Sequence, residues 1–148
     1  MPPYVAVVGA GEASAEEIAT AEEAGRLLAE RGAVLVCGGL GGVMEAACRG
    51  AKSAGGATVG ILPGRDRTAA NEWVDVAIAT GLGEARNALV VRAADVLIAV
   101  GGGYGTLSEI ALALKGGTPV VGIGSWELAG RPLREASDAR QAVELALG

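Results

Sequence analysis

The sequence contains no histidine and no phenylalanine. Without histidine, Ser-His-Asp triads, His-bearing zinc sites and imidazole acid–base catalysis are excluded. The only two cysteines, Cys37 and Cys48, are too few for a disulfide framework or a metal-ligand set, and we interpret both as small buried hydrophobic residues. Aromatic residues make up only 3% of a chain that is 51% hydrophobic, so aliphatic side chains must fill the core.

Long apolar runs and targeting signals are also missing. No run of 18 apolar residues occurs, so we expect no membrane span. The start, MPPYVAVVGAG, lacks the basic segment of a signal peptide, and we therefore expect a cytoplasmic protein. The net charge is −5 with both signs interspersed, and we do not expect nucleic acid as a partner because phosphate neutralisation needs clustered Lys and Arg.

Apolar runs alternate with helical patterns along the chain. Strands are predicted at 4–9, 33–39, 57–63, 74–80, 94–100 and 118–124, and helices at 14–32, 42–56, 83–94, 106–117 and 137–148. Continuous apolar strands alternating with helices are typical of a parallel sheet covered on both faces. We therefore predict that residues 1–148 form one α/β domain, a Rossmann-like doubly wound parallel sheet of about six strands with an order near 3-2-1-4-5-6.

Glycines are concentrated where three of the predicted strands end. The loops GAGEAS (9–14), GGLGG (38–42) and GGGYGT (101–106) each lead into a predicted helix. Bare backbone N–H groups and the positive end of the helix dipole favour an anion there, phosphate above all. Tight turns alone would also use glycine, but three such loops at one sheet edge favour a nucleotide or phosphate site. The candidate binding residues are Gly9, Gly11, Ser14, Gly38, Gly39, Gly41, Gly42, Gly102, Gly103, Gly105 and Thr106.

Common nucleotide-binding motifs do not match these loops. The first loop reads G-x-G-x-x-S, and the second predicted strand ends in Cys37-Gly38-Gly39 instead of the acidic residue that would hold the ribose of NAD. The sequence has no G-x-x-x-x-G-K-[ST] and no G-x-S-x-G. We therefore expect neither a standard NAD site nor a P-loop ATPase.

Two charged residues are candidates for chemistry beside the third loop. Thr106 and Glu109 form a T-x-x-E sequence, which is typical of a helix capping box. The same spacing suits a site in which Thr106 binds phosphate while Glu109 faces a sugar and stabilises an oxocarbenium-like cation. Arg86, at the start of the preceding helix, is the candidate cationic partner, with a plain surface arginine as the alternative. Arg86 and Glu109 are thus the candidate catalytic residues.

The stretch VGGGYGTLSEIALAL resembles the P-G-G-x-G-T-x-x-E motif of the Lonely Guy (LOG) family, long mislabelled lysine decarboxylases. The stretch CGGLGGVMEAACRGA resembles the second glycine motif of that family, and the similarity is greatest to the branch of molybdenum cofactor carrier proteins. The resemblance implies a Rossmann-like nucleotide-binding fold and a homodimer or homotetramer. It also implies hydrolysis of a nucleoside 5′-monophosphate to free base and ribose 5-phosphate, with Arg86 and Glu109 as catalytic residues.

Because the chain departs from the LOG motifs at three places, two functions remain open. Glu84-Ala85-Arg86-Asn87 stands where these enzymes usually have E-R-K, Gly101 replaces the motif's proline, and Gly42-Val43-Met44-Glu45 replaces G-L-M-G. One prediction is a phosphoribohydrolase that requires no cofactor. The other is a non-enzymatic carrier of a small phosphorylated ligand, either a nucleotide or a molybdopterin-type cofactor.

Other functions find less support in the sequence. The only lysines, Lys52 and Lys115, lie in ordinary helical settings, so lysine decarboxylase activity is not expected. A DNA-associated role, by analogy with a DNA-processing branch of the superfamily, is disfavoured by the acidic charge and the lack of an aromatic row. The apolar stretch ALVVRAADVLIAV predicts self-association through the helical residues 89–91.

Overall fold

The computed structural model describes residues 1–148 and contains one parallel sheet of seven strands. The strands are β1 Tyr4–Gly9, β2 Val34–Cys37, β3 Ala57–Leu62, β4 Val76–Ala79, β5 Val96–Val100, β6 Val120–Ile123 and β7 Arg134–Glu135. The helices are α1 Ala15–Glu30, α2 Val43–Ser53, α3 Arg86–Arg92, α4 Tyr104–Lys115 and α5 Ala139–Leu147. The strand order is β4-β3-β2-β1-β5-β6-β7.

The α/β class and the parallel sheet are confirmed, whereas the predicted strand count and order are wrong. β4 pairs with β3 at the sheet edge, with Val59 beside Val76, instead of lying next to β1. The connection between β3 and β4 contains only a short 3₁₀ turn, Arg67–Ala69, and no α-helix that could carry the chain across the sheet. The seventh strand, β7, has two charged residues and therefore no apolar run that would reveal it.

Helices cover both faces of the sheet because successive strand residues point to opposite sides. On one face, Val7 and Ile98 pack in a core with α1, α2 and α5. On the other face, Val8 and Leu97 pack with α3 and α4. None of the helices is long and apolar enough to cross a membrane.

Helices α1 and α2 touch backbone to backbone at two glycines. A Cβ at Gly25 of α1 would overlap the carbonyl oxygen of Ala47, and a Cβ at Gly50 of α2 would overlap the carbonyl oxygen of Glu22. The two clashes are reciprocal, so both glycines are needed for this close crossing.

The helix starts agree only partly with the sequence patterns. The predicted capping box of α1 is confirmed, since Ser14 Oγ accepts the Glu17 amide at 3.1 Å and Glu17 Oε1 accepts the Ser14 amide at 2.9 Å. In contrast, α4 begins at Tyr104, with Gly103 as its N-cap, so the capping-box interpretation of Thr106 is wrong.

Candidate functional site

A cavity of about 380 Å³ lies at the carboxyl ends of the central strands. It sits where the strand order reverses between β1 and β5, which is the usual ligand site of open α/β sheets. We call it the glycine cavity. Its wall is formed by Val8, Gly9, Ala10, Gly11, Gly38, Leu40, Met44, Arg86, Asn87, Gly103, Gly105, Thr106 and Glu109.

The glycine cavity brings together both candidate catalytic residues and part of the predicted binding set. The predicted binding residues on its wall are Gly9, Gly11, Gly38, Gly103, Gly105 and Thr106. The predicted residues outside its wall are Ser14, Gly39, Gly41, Gly42 and Gly102. All three glycine loops therefore reach the cavity, although with fewer residues than predicted.

Several of the predicted residues that do not line the cavity determine the shape of the loops. Ser14 is occupied as the N-cap of α1. Gly42 has φ +65°, and a Cβ there would overlap the Ala10 carbonyl oxygen of the neighbouring loop. Gly102 has φ +100°, and a Cβ there would overlap the Thr106 hydroxyl. Side chains at these glycines would push the loops apart or displace Thr106.

Backbone conformation explains why glycine replaces the proline of the LOG motif at position 101. Gly101 adopts φ +56°, whereas the proline ring fixes φ near −65°, so the proline of the LOG motif cannot occupy this conformation. A Cβ at Gly101 would also overlap the Glu17 carboxylate at the start of α1. The third loop therefore packs directly on the capped start of α1.

Arg86 is anchored beneath the cavity by backbone oxygens. Its Nη1 donates to the carbonyl oxygen of Gly38 at 2.6 Å and to that of Ile61 at 2.7 Å. Its buried Nε has no partner in the protein. Burial lowers the pKa of Arg86 while the nearby Glu109 raises it, but a guanidinium stays charged in either case. Arg86 is thus a fixed positive charge that joins the ends of β2 and β3.

Glu109 and Thr106 are buried polar residues on the cavity wall. Glu109 is 8% exposed and Thr106 is 3% exposed, and neither side chain forms a hydrogen bond within the protein. Burial raises the pKa of Glu109 to about 7, against the lowering effect of the Arg86 charge. Near neutral pH, Glu109 is therefore present both as a hydrogen-bond donor and as a carboxylate.

The two cysteines are buried, as predicted, and their thiols are in contact behind the second glycine loop. Cys37 Sγ lies 3.4 Å from Cys48 Sγ and accepts a hydrogen bond from the Gly39 amide at 3.3 Å. The hydrogen bond with Cys48 lowers the pKa of Cys37 in spite of burial, and the pKa of Cys48 is raised. No sequence signal predicted this contact, which joins β2 to α2.

Several wall residues were missed by the sequence patterns. Asn87 follows Arg86 directly, so its place in the first turn of α3 could have been found, and its Nδ2 donates to Ser108 Oγ at 3.3 Å. Leu40 and Met44 supply an apolar side that glycine motifs do not reveal. The site therefore combines backbone amides, one fixed cation, one buried acid and a small apolar surface.

The chain matches the model of a known family. A family model described as the SLOG cluster4 family matches residues 2–146. The chain belongs to the SLOG cluster4 family. The predicted resemblance to LOG-like proteins and to their molybdenum cofactor carrier branch is thereby confirmed.

Solved structures similar to this SLOG cluster4 protein cover almost its whole length. The molybdenum cofactor binding protein from Rippkaea orientalis is 42% identical, with a TM-score of 0.93 over 98% of this chain and 95% of that one. The molybdenum cofactor carrier protein from Chlamydomonas reinhardtii is 38% identical, with a TM-score of 0.90 over 98% of this chain and 96% of that one.

A curated relative from rice points to the LOG enzymes. It is named a probable cytokinin riboside 5′-monophosphate phosphoribohydrolase and is 38% identical over 93 residues. The match covers 61% of this chain and 38% of the rice protein.

Proposed function

We propose that this SLOG cluster4 protein is a binding or carrier protein for a small phosphorylated ligand of the nucleotide or molybdopterin type. The observation that carries the proposal is the glycine cavity, into which Thr106 and Glu109 present polar atoms that have no partner within the protein and are not sealed from solvent. These groups are free to hydrogen-bond a ligand in the cavity, and the backbone amides and the Arg86 charge on the same wall suit an anionic one.

The chemistry of the wall suits a phosphate group. Glycines at 103 and 105 leave the first turn of α4 bare, and its N–H groups have no intrahelical partners. Arg86 places a positive charge beside these amides, and its two bonds to carbonyl oxygens hold it in place. A fixed cation with backbone amides binds an anion without reorganisation.

The similar structures favour a carrier over an enzyme. The proteins from Rippkaea and Chlamydomonas, both described by molybdenum cofactor binding or carriage, match nearly the full chain, whereas the probable phosphoribohydrolase from rice matches over a shorter region. A molybdopterin-type ligand carries a phosphate and would enter the glycine cavity by that group.

The proposal is tested by thermal shift with inorganic phosphate, AMP, GMP and molybdopterin. A ligand at a hundredfold excess over Kd adds about 2.7 kcal/mol of stability, which for a chain of this size raises Tm by about 5–10 °C. Gly103→Ala should abolish the shift, because it places a methyl group at the cavity wall where no protein atom lies within 4 Å.

Gly64→Ala is the matched control, since its Cβ also meets open space and it lies outside the glycine cavity. This variant should keep the full ligand shift. If none of the phosphate compounds changes Tm, or if both alanine variants respond as the wild type does, the proposed function is wrong.

A second candidate function is phosphoribohydrolase activity, favoured by the buried Glu109 beside Arg86. A carboxyl with a pKa of about 7 can serve as acid or base near neutral pH, and its ionised form can stabilise a developing oxocarbenium charge. Incubation with a panel of nucleoside monophosphates, followed by chromatography of the free base, tests this candidate. Base release by the wild type and not by Glu109→Gln would support it.

We also propose that the protein works as a homodimer or homotetramer in the cytoplasm. Within the predicted segment, Val90 and Val91 are buried against the sheet, and only Leu89 is exposed, at 40%. Val76 and Ile78 of the edge strand β4 are exposed as well and lie on the α3 side of the sheet, since they pair with Val59 and Ile61 of that core. Light scattering that gives the mass of a monomer would contradict self-association.

A further inference from the structure

A second cavity of about 480 Å³ adjoins the glycine cavity. The two cavities share Arg86, Asn87 and Gly105, so one ligand can extend through both. We call the second one the tyrosine cavity, because Tyr104 lines it together with Glu84. Ligand sites commonly have a volume of 300–1,000 Å³, which each cavity alone satisfies.

Tyr104 offers an aromatic surface to this cavity. Its side chain is 83% exposed at the first position of α4, and its ring stacks on Trp126 with centroids 5.9 Å apart and planes inclined by 28°. Trp126 is held in turn, since its Nε1 donates to the Gly103 carbonyl oxygen at 3.1 Å. Trp126 lines neither cavity, so it stands behind Tyr104 and supports it as a wall for a flat ring.

Glu84 adds an exposed carboxylate to the tyrosine cavity, which lacks Thr106 and the glycines of the first two loops. It lies in the 3₁₀ turn Gly83–Ala85, is exposed, and forms no ion pair or hydrogen bond. An ionised carboxylate only accepts hydrogen bonds and repels phosphate. A ligand that spans both cavities therefore places its phosphate among the glycines and its N–H donors near Glu84.

We propose that the tyrosine cavity binds a flat heteroaromatic ring with two adjacent N–H donors, the 2-amino-4-oxopyrimidine edge that guanine and pterins share. Tyr104 stacks on the ring and Glu84 accepts its ring N–H and its 2-amino group. Adenine does not fit this pattern, because its corresponding edge presents an acceptor nitrogen beside an amino group. This inference rests on the proposed function, since the phosphate must occupy the glycine cavity.

Calorimetric titration with ribose 5-phosphate, AMP, IMP, GMP and a 6-hydroxymethylpterin phosphate tests the assignment. IMP is the matched probe, because it differs from GMP only by lacking the 2-amino group. We expect GMP to bind at least about tenfold tighter than IMP, the effect of one charge-assisted hydrogen bond. In Glu84→Gln this preference should disappear, whereas Glu72→Gln, which changes an exposed glutamate outside both cavities, should keep it.

Two substitutions at Tyr104 test its stacking on the ligand ring. Tyr104→Ala should weaken the binding of every ring-bearing ligand by about tenfold, as expected for loss of one base–aromatic stack. Tyr104→Phe should bind like the wild type, because the ring remains. Neither substitution should change the affinity for ribose 5-phosphate, which has no ring system to stack.

The outcomes separate this assignment from the proposed function. Absence of binding by ribose 5-phosphate and by every other probe would overturn both. A different result would overturn the ring assignment alone. In that case ribose 5-phosphate binds, GMP, IMP and AMP bind with equal affinity, and the pterin phosphate binds no tighter than ribose 5-phosphate. Tight binding of GMP identifies guanine as the source of the edge, tight binding of the pterin phosphate identifies a pterin, and either result supports the assignment.

Discussion

Replacing Glu109 by glutamine should remove most of the dependence of folding stability on pH between 5 and 8. The chain contains no histidine, the residue that usually titrates in this interval. Glu109 instead titrates there, because burial raises its pKa from 4.5 to about 7. One buried carboxyl thus takes the place that histidines hold in other proteins.

The sign and size of the effect follow from linkage between protonation and folding. Since the folded pKa is the higher one, the folded state is favoured while Glu109 is neutral, and stability is lost as pH rises toward 7. Each unit of pKa shift corresponds to about 1.36 kcal/mol. Between pH 5 and pH 8 the free energy of unfolding of the wild type should therefore fall by about 2.5 kcal/mol through this group.

Urea denaturation of the wild type and Glu109→Gln at both pH values measures the effect. The variant should gain stability over the wild type at pH 8 and much less at pH 5, with the difference between the two gains near 2.5 kcal/mol. The Glu109 charge also raises the pKa of Cys37, so the response of that thiol to the substitution is part of the measured difference. Parallel stability curves for the two proteins over this range would refute the assignment of the raised pKa to Glu109.

Four further substitutions test the packing and the charges. Gly25→Ala should lower the free energy of unfolding by about 3 kcal/mol or more in urea, because the methyl group strikes the Ala47 carbonyl, whereas Gly105→Ala, in open space, should raise it by up to about 1 kcal/mol through helix propensity. Gly101→Pro, which restores the LOG motif, should lower Tm by several degrees, since proline cannot adopt φ +56°. Arg86→Ala should raise the pKa of Glu109 in a carboxyl ¹³C NMR titration, because the nearby positive charge is removed. It should also lower the free energy of unfolding by about 2 kcal/mol, because two carbonyl oxygens lose their donor. An unchanged pKa would show that the Arg86 charge does not reach Glu109.

The sequence predicted those parts of the fold that local physics determines. The Ser14 capping box and the alternation of apolar runs with helical spacing depend on neighbouring residues, and both appear in the structure. The strand order depends instead on which side of β3 the chain takes after residue 62, and no local pattern encodes that choice. The start of α4 was misplaced because Tyr104 and Gly105 are weak helix signals, although their backbone is helical.

The candidate site was predictable where it consists of backbone and less so where it consists of side chains. Three glycine loops after parallel strands must meet at one sheet edge, and loops from all three reach the cavity. The roles of individual glycines were not predictable, because Gly42 and Gly102 are required by contacts with other loops or with Thr106. Likewise, the stacking of Tyr104 on Trp126 joins residues that no motif relates.

The backbone contact between α1 and α2 also determines how the cavity can adjust to ligands of different size. These helices begin at the first and second glycine loops, and at Gly25 and Gly50 they cannot slide past each other without collision. The two helices therefore form one rigid unit that carries two of the three loops. The start of α3 is tied to this unit as well, because Arg86 donates to the Gly38 carbonyl oxygen of the second loop, so the mouth cannot widen there unless that hydrogen bond breaks.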